Sequence, residues 1–209
     1  MPDPLLSARS ISRKFGYRVV LEDVSFDVRA GEALVVRGAN GSGKTTLLRI
    51  LAGLLRPTTG TVLRAGGLGY LAHHSMLYDA LTARENLRFV ARLHGLAPAG
   101  TSDSLIERLG LDGRADDPVS TYSRGMIQRL ALARALLIDP QVLLLDEPLS
   151  HLDEPGSRVV LEILGEQRRR GRALVVVSHQ RAELETLGAA SIALANGRLV
   201  SGAAADPYG

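Results

Sequence analysis

Cysteine is absent from the 209 residues, and aromatic side chains make up only 4% of them. Without cysteine there are no disulfides and no thiolate metal sites, a composition that suits either side of a membrane. Charge of one sign is also lacking. Basic residues number 25 against 22 acidic, and a net charge of +3 is too small to define a nucleic-acid groove, so no nucleic-acid partner is expected. No run of about 18 apolar residues occurs, and the opening Met1-Pro2-Asp3-Pro4 has neither a basic n-region nor an apolar h-region. The expectation is a soluble cytoplasmic chain that meets a membrane only through a partner chain. Internal repeats, linkers and low-complexity segments are missing too, so the 45% hydrophobic content predicts one domain, residues 1–209, with a proper core.

Lysine is the scarcest of the charged residues. Only Lys14 and Lys44 are lysines among the 25 basic positions, and Lys44 lies in Gly38-Ala39-Asn40-Gly41-Ser42-Gly43-Lys44-Thr45. This stretch matches G-x-x-x-x-G-K-[ST], with the apolar run Ala33-Leu34-Val35-Val36 before it and the helix-like Thr46-Leu47-Leu48-Arg49-Ile50-Leu51 after it. A triphosphate needs many donors and no bulk in the way. Glycines 38, 41 and 43 let backbone N–H groups turn toward phosphate oxygens, and the helix adds its positive N-terminal end. Gly38, Ala39, Asn40, Gly41, Ser42, Gly43, Lys44, Thr45 and Thr46 are therefore the nucleotide-binding candidates, with Lys44 reaching the β- and γ-phosphates and the Thr45 hydroxyl ligating Mg²⁺.

Two alternating runs, Leu6–Ile11 and Val20–Val28, predict antiparallel strands around Lys14-Phe15-Gly16-Tyr17. Phe15 and Tyr17 stand where an aromatic ring either stacks on a purine or packs. Thr61–Leu63 and Gly69–Leu71 read as short strands, and the adjacent His73 and His74 point apart in most conformations, which disfavours a metal pair. Thr82 with Glu85 forms a capping box for a helix that runs to Gly95, and Ser102–Leu109 is a second helix. Met76, Leu77 and Tyr78, just before the first of them, either cover the core or line a groove for a partner. Ser123 is the N-cap of a helix through Leu137; its cationic, glycine-bearing first turn suits a second anion, and a buried core helix would show the same apolar content.

Val142–Leu145 reads as a buried parallel strand that delivers Asp146-Glu147 at its C-terminal end. Adjacent carboxylates there call for a cation, so Asp146 is assigned to Mg²⁺ and Glu147 to the attacking water as general base. After a helix from about Pro155 to Arg170, a second buried strand, Ala173–Val177, places Ser178-His179 beside those carboxylates. The chain then forms a hairpin around Asn196-Gly197.

In this order the motifs resemble the ATP-binding subunits of ABC transporters, from about Leu6 to Val200. Phe15 falls at that family's adenine-stacking position, and Tyr122-Ser123-Arg124-Gly125-Met126 at the signature usually written L-S-G-G-Q. Leu145-Asp146-Glu147-Pro148 looks like Walker B with the catalytic glutamate, Ser150-His151-Leu152-Asp153 like the D-loop, and His179 like the switch histidine. The resemblance implies an α/β P-loop NTPase of RecA-like type, its mostly parallel core joined by an N-terminal antiparallel β-subdomain and an inserted helical signature subdomain at about 73–139. It also implies ATP and Mg²⁺ as ligands, and a head-to-tail homodimer in which Ser123, Arg124, Gly125 and Met126 act on the partner's ATP. Permease subunits on separate membrane chains would hold the protein at the inner face of the cell membrane. Three departures stand out: Arg124 replaces a glycine, Met126 a glutamine, and His73 the glutamine that senses Mg²⁺ and the attacking water. Because imidazole suits softer metals, His73 is expected to act by hydrogen bonding to water or γ-phosphate. Tyr70–His74 and Leu81–Phe89 are similar to the Ccm-type haem-exporter ATPase of cytochrome c maturation. Exporters of lipids, polysaccharides or drugs, and ATPases of iron–sulfur assembly, share parts of the pattern.

Overall fold

The computed structural model describes residues 3–96, 100–179 and 187–200. Its centre is a six-stranded sheet whose strands come from distant parts of the chain. In spatial order these are β5 (Leu68–Leu71), β6 (Val142–Asp146), β7 (Ala173–Val177), β3 (Ala33–Arg37), β8 (Ala190–Ala195) and β9 (Arg198–Val200). All pairs are parallel except β8 with β9, which closes around Asn196-Gly197. β6 and β7 are apolar at nearly every position because both faces are covered, and alternate residues go to opposite sides. Leu143, Leu145, Leu174 and Val176 join the core under the helices; Val142, Leu144, Val175 and Val177 join the core facing the smaller sheet.

That smaller sheet has the order β2-β1-β4 and is antiparallel, formed by β1 (Leu6–Phe15), β2 (Arg18–Val28) and β4 (Thr59–Arg64). Strand β1 continues four residues beyond the alternating run that predicts it. Bulges between Ala8 and Lys14 shift the register against β2, so the apolar positions lose their phase while the pairing continues.

Among the described residues, three α-helices stand between β5 and β6: α2 (Ala83–Leu93), α3 (Gly100–Arg108) and α4 (Arg124–Leu136). The capping box at α2 forms as the sequence predicts, with the Glu85 N–H donating to Thr82 Oγ1 at 3.1 Å and the Thr82 N–H to Glu85 Oε2 at 2.9 Å. Thr82→Ala removes one of these bonds, and we expect a stability loss of about 1 kcal/mol, measured as a lowered urea midpoint at unchanged slope. Helix α4 lies close on β5. A Cβ at Gly69 would stand 2.2 Å from the Ala135 carbonyl oxygen, so this position admits no side chain while α4 keeps its place.

Among the described residues, the other two α-helices follow strands of the central sheet. α1 (Lys44–Leu51) ends in a Schellman turn at Gly53, φ 77°, where the Leu54 N–H donates to Arg49 O at 2.9 Å. α5 (Glu154–Arg169) starts at Asp153, whose carboxylate accepts from the Gly156 N–H at 3.0 Å. The topology leaves the ends of β3, β5, β6 and β7 open at one edge, where such sheets bind ligands.

Candidate active site

The loop from Gly38 to Gly43 leaves β3 and enters α1 without a side-chain cap, because Gly43, φ 108°, holds the N-cap position. Four N–H groups of the first turn therefore face outward with no acidic residue to occupy them. The Lys44 side chain is buried and folds back over the loop, its Nζ donating to Gly38 O at 2.6 Å and Ala39 O at 3.0 Å. Burial pushes its ammonium pKa down, against the opposing pull of Glu147 and Asp146. Ser42 Oγ is buried without a partner, an orphaned polar atom of the kind an anion satisfies. A Cβ at Gly41, φ 80°, would meet nothing within 4 Å, so open space borders the loop there. These features fit a polyphosphate.

Asp146 ends β6 and is only 3% exposed. Burial raises its carboxyl pKa; the hydrogen bond from Thr45 Oγ1 at 3.1 Å opposes this, as do the charges of a protonated His73, Lys44 and Arg49. Two hard oxygen donors, Thr45 and Asp146, thus converge below the loop, a donor set that suits Mg²⁺ completed by phosphate and water oxygens. Among the described residues, no group of three His, Cys, Asp or Glu side chains is arranged to hold a metal by itself.

Glu147 adopts a left-handed conformation, φ 51°, uncommon for a side chain without a short polar group. Its N–H donates to Val177 O at 2.8 Å, which ties it to the end of β7. His179 follows that strand, with its Nε2 3.5 Å from Glu147 Oε1 and its N–H 3.4 Å from Oε2. The sequence-predicted Lys44, Thr45, Asp146, Glu147 and His179 are therefore brought together. His73 is exposed beyond β5, edge-on to His74 at 5.4 Å between ring centroids.

The other candidates lie further out. Phe15 is 48% exposed at the tip of β1, and the Arg13 guanidinium lies 4.4 Å over one face of its ring, a contact that no sequence spacing announced. Ser123 Oγ caps α4, accepting from the Met126 N–H at 3.2 Å, while Arg124 is exposed and Met126 packs against the helical core. A Cβ at Gly125 would lie 2.9 Å from His151 O, so the absence of a side chain here lets the start of α4 approach the turn before α5. Asp153 is the N-cap of α5, as described above. Two contacts were not read from the sequence: that of Arg134, which donates from α4 to Tyr70 O at 2.9 Å, and that of Gln128, which follows the signature as the family resemblance leads one to expect and is discussed below.

The two readings of residues 76–78 divide between them. Leu77 packs against the helical core, whereas Met76 and Tyr78 are 52% and 53% exposed. The buried Asn86 accounts for the division: its Oδ1 accepts from the Tyr78 N–H at 2.8 Å and its Nδ2 donates to Tyr78 O at 3.0 Å, turning that side chain outward. Tyr78 then stacks edge-on to Phe89 at 5.1 Å and, with the exposed Leu93, forms an apolar surface beside α2.

Residues 21–150 match the ABC transporter family model, a span running from β2 through the phosphate loop and the signature to the carboxylate pair. The chain belongs to the ABC transporter family. It spans that family's ATP-binding, ATPase domain. The cytochrome c biogenesis ATP-binding export protein CcmA of Pseudomonas syringae pv. tomato is 38% identical over 205 residues, covering 93% of this chain and 97% of that protein. An uncharacterized ABC transporter ATP-binding protein, YdbJ of Bacillus subtilis, is 36% identical over 200 residues, covering 90% of this chain and 65% of that protein. The chain thus spans about two thirds of some relatives and nearly all of others. Among solved structures, a dimeric ATP-binding cassette in a post-hydrolysis state bound to ADP and Pi superposes with a TM-score of 0.86 at 25% identity, covering 94% of this chain and 97% of that one.

Proposed function

We propose that this ABC-family chain hydrolyses MgATP to drive an ABC transporter whose permease subunits are separate membrane chains, and that the transporter serves haem export in cytochrome c biogenesis. The observation that carries the reading is the convergence of Lys44, Thr45, Asp146, Glu147 and His179 at the ends of β3, β6 and β7. Lys44 and the N–H groups of the phosphate loop bind the triphosphate, and Phe15 stacks on its adenine. Thr45 and Asp146 would hold Mg²⁺, which neutralises charge on the β- and γ-phosphates. Glu147 takes the proton of the attacking water, and His179 stabilises the oxygens of the γ-phosphate. His73 hydrogen-bonds to water or γ-phosphate and links the nucleotide to the loop bearing Tyr78.

Half a site is missing in one copy. Two chains therefore stack head to tail, each ATP lying between one phosphate loop and the partner's signature turn, Ser123 to Met126; the dimeric relative bound to ADP and Pi supports this arrangement. The chain is read as a single domain, residues 1–209, in which a helical subdomain at about 73–139 carries the signature. No helix among the described residues is long and apolar enough to cross a membrane, in keeping with a peripheral place on the cytoplasmic face. The apolar surface of Tyr78, Phe89 and Leu93 receives the permease, and the CcmA relatives support the haem reading.

Tyr78→Ser with Leu93→Ser should leave the isolated subunit's ATPase unchanged and abolish its stimulation by the co-purified membrane chains. In cells, the same variant should lack c-type cytochromes with covalently attached haem, scored by haem staining of gels. Normal cytochromes in a strain without any functional copy of this chain would overturn the haem assignment.

A further inference from the structure

The main-chain carbonyl of the general base is held by a side chain from the signature helix. Gln128 Nε2 donates to Glu147 O at 2.8 Å, and the Ser150 N–H donates to the same oxygen at 3.1 Å, starting the turn that leads into the D-loop. With the Glu147 N–H fixed to Val177 O at 2.8 Å, both main-chain groups of this left-handed residue are anchored, one to β7 and the other to α4. Within the first turn of α4, Gly125 approaches the D-loop closely enough that a Cβ would lie 2.9 Å from His151 O. Helix α4 therefore touches the carboxylate-bearing turn twice, at its capped end and about one turn further along.

We propose that Gln128 is a positioning residue that couples the two ATP sites of the dimer. The inference rests on the head-to-tail reading above. In that dimer the start of α4 contacts the ATP bound by the partner chain, while Glu147 acts on the ATP of its own chain. A shift of α4 on meeting the partner's nucleotide pulls on Glu147 O through the Gln128 carboxamide. Residues in a sparsely populated conformation keep it only while their surroundings enforce it, so a small change in this tie reorients the Glu147 carboxylate toward or away from the attacking water. Hydrolysis at one site thereby depends on occupancy of the other.

The test uses the full-length chain in three forms: wild type, Gln128→Met, which keeps the length and removes the donor, and Gln128→Lys, which keeps a donor. Rate against MgATP concentration, affinity for a fluorescent ATP analogue and melting temperature are measured for each. For Gln128→Met we expect unchanged analogue affinity and melting temperature, turnover lowered by roughly 10–100-fold, the scale of a misplaced catalytic group, and a Hill coefficient that falls from near 2 toward 1. Gln128→Lys should recover a good part of both turnover and cooperativity. If wild type is cooperative and Gln128→Met retains its rate and Hill coefficient, the coupling role is wrong. It is equally wrong if Gln128→Met loses turnover together with analogue affinity or melting temperature, or if Gln128→Lys matches Gln128→Met in every measurement. A wild type that hydrolyses ATP with a Hill coefficient of 1 and never dimerises would instead overturn the head-to-tail reading itself.

Discussion

Glu147→Gln is expected to lose turnover by roughly 10²–10⁴-fold while ATP stays bound. The amide fills the same space as the carboxylate, and the main-chain bonds of residue 147 to Val177 and Gln128 do not involve its side chain. What disappears is the capacity to accept the water's proton. Binding and hydrolysis are thus separated in one substitution, and a chain that binds but does not hydrolyse should accumulate as the ATP-bound dimer. Phosphate release and size-exclusion chromatography with MgATP check the two halves of this expectation. A variant that stays monomeric with ATP bound would refute a dimer closed by nucleotide alone. One that still turns over within tenfold of wild type would remove Glu147 from the role of base.

Gly38→Ala has the largest expected effect on the fold and on nucleotide binding together. Gly38 lies at φ 149°, and a Cβ there would stand 2.2 Å from Leu194 O and 2.7 Å from Ser42 Oγ. The first of these atoms belongs to the main chain of β8 and cannot swing aside, so the loop or the strand must move. Overpacking costs about 1–3 kcal/mol, and a backbone conformation foreign to alanine a similar amount, for a sum of about 2–6 kcal/mol. Gly41→Ala is the informative companion. Its Cβ would meet nothing within 4 Å at φ 80°, so it should cost about 1 kcal/mol of stability and still weaken ATP binding by intruding beside the phosphates. Urea denaturation and nucleotide titration of both variants distinguish a glycine required by packing from one required by the ligand. A Gly38→Ala protein with wild-type stability would show that β8 yields more easily than its contacts imply.

Much of this site was legible in the sequence because its parts obey local rules. The phosphate loop needs its glycines and lysine in one short stretch, the carboxylates follow an uninterrupted apolar strand, and the Thr82 box and the Asn196-Gly197 turn are each written within a few residues. What escaped depends on contacts between distant segments. Nothing near Gln128 announces a bond to residue 147, and Glu147 carries no mark of a left-handed backbone, since that conformation is imposed by β7 and α4. The outward turn of Tyr78 and the inward turn of Leu77 needed Asn86, whose carboxamide occupies the place of a strand partner. Phe15 was visible as an aromatic at a turn that either stacks or packs, but its exposure and the Arg13 charge resting on its ring lie in the folded geometry of β1.

The wall behind the phosphate loop comes from a strand made long after the loop itself. β3 is flanked by β7 and β8, and Gly38 rests against Leu194, a residue far along the sequence from it. A ribosome must therefore release the segment around 190–197 before the loop at 38–45 can take its final shape. Until then the nascent chain holds every residue of the nucleotide motif without the backing that shapes it, and the pairing of β3 with β8 closes a loop of great length. ATP has little to grip until β8 has joined β3, so nucleotide selects the paired state of the two strands over the open one.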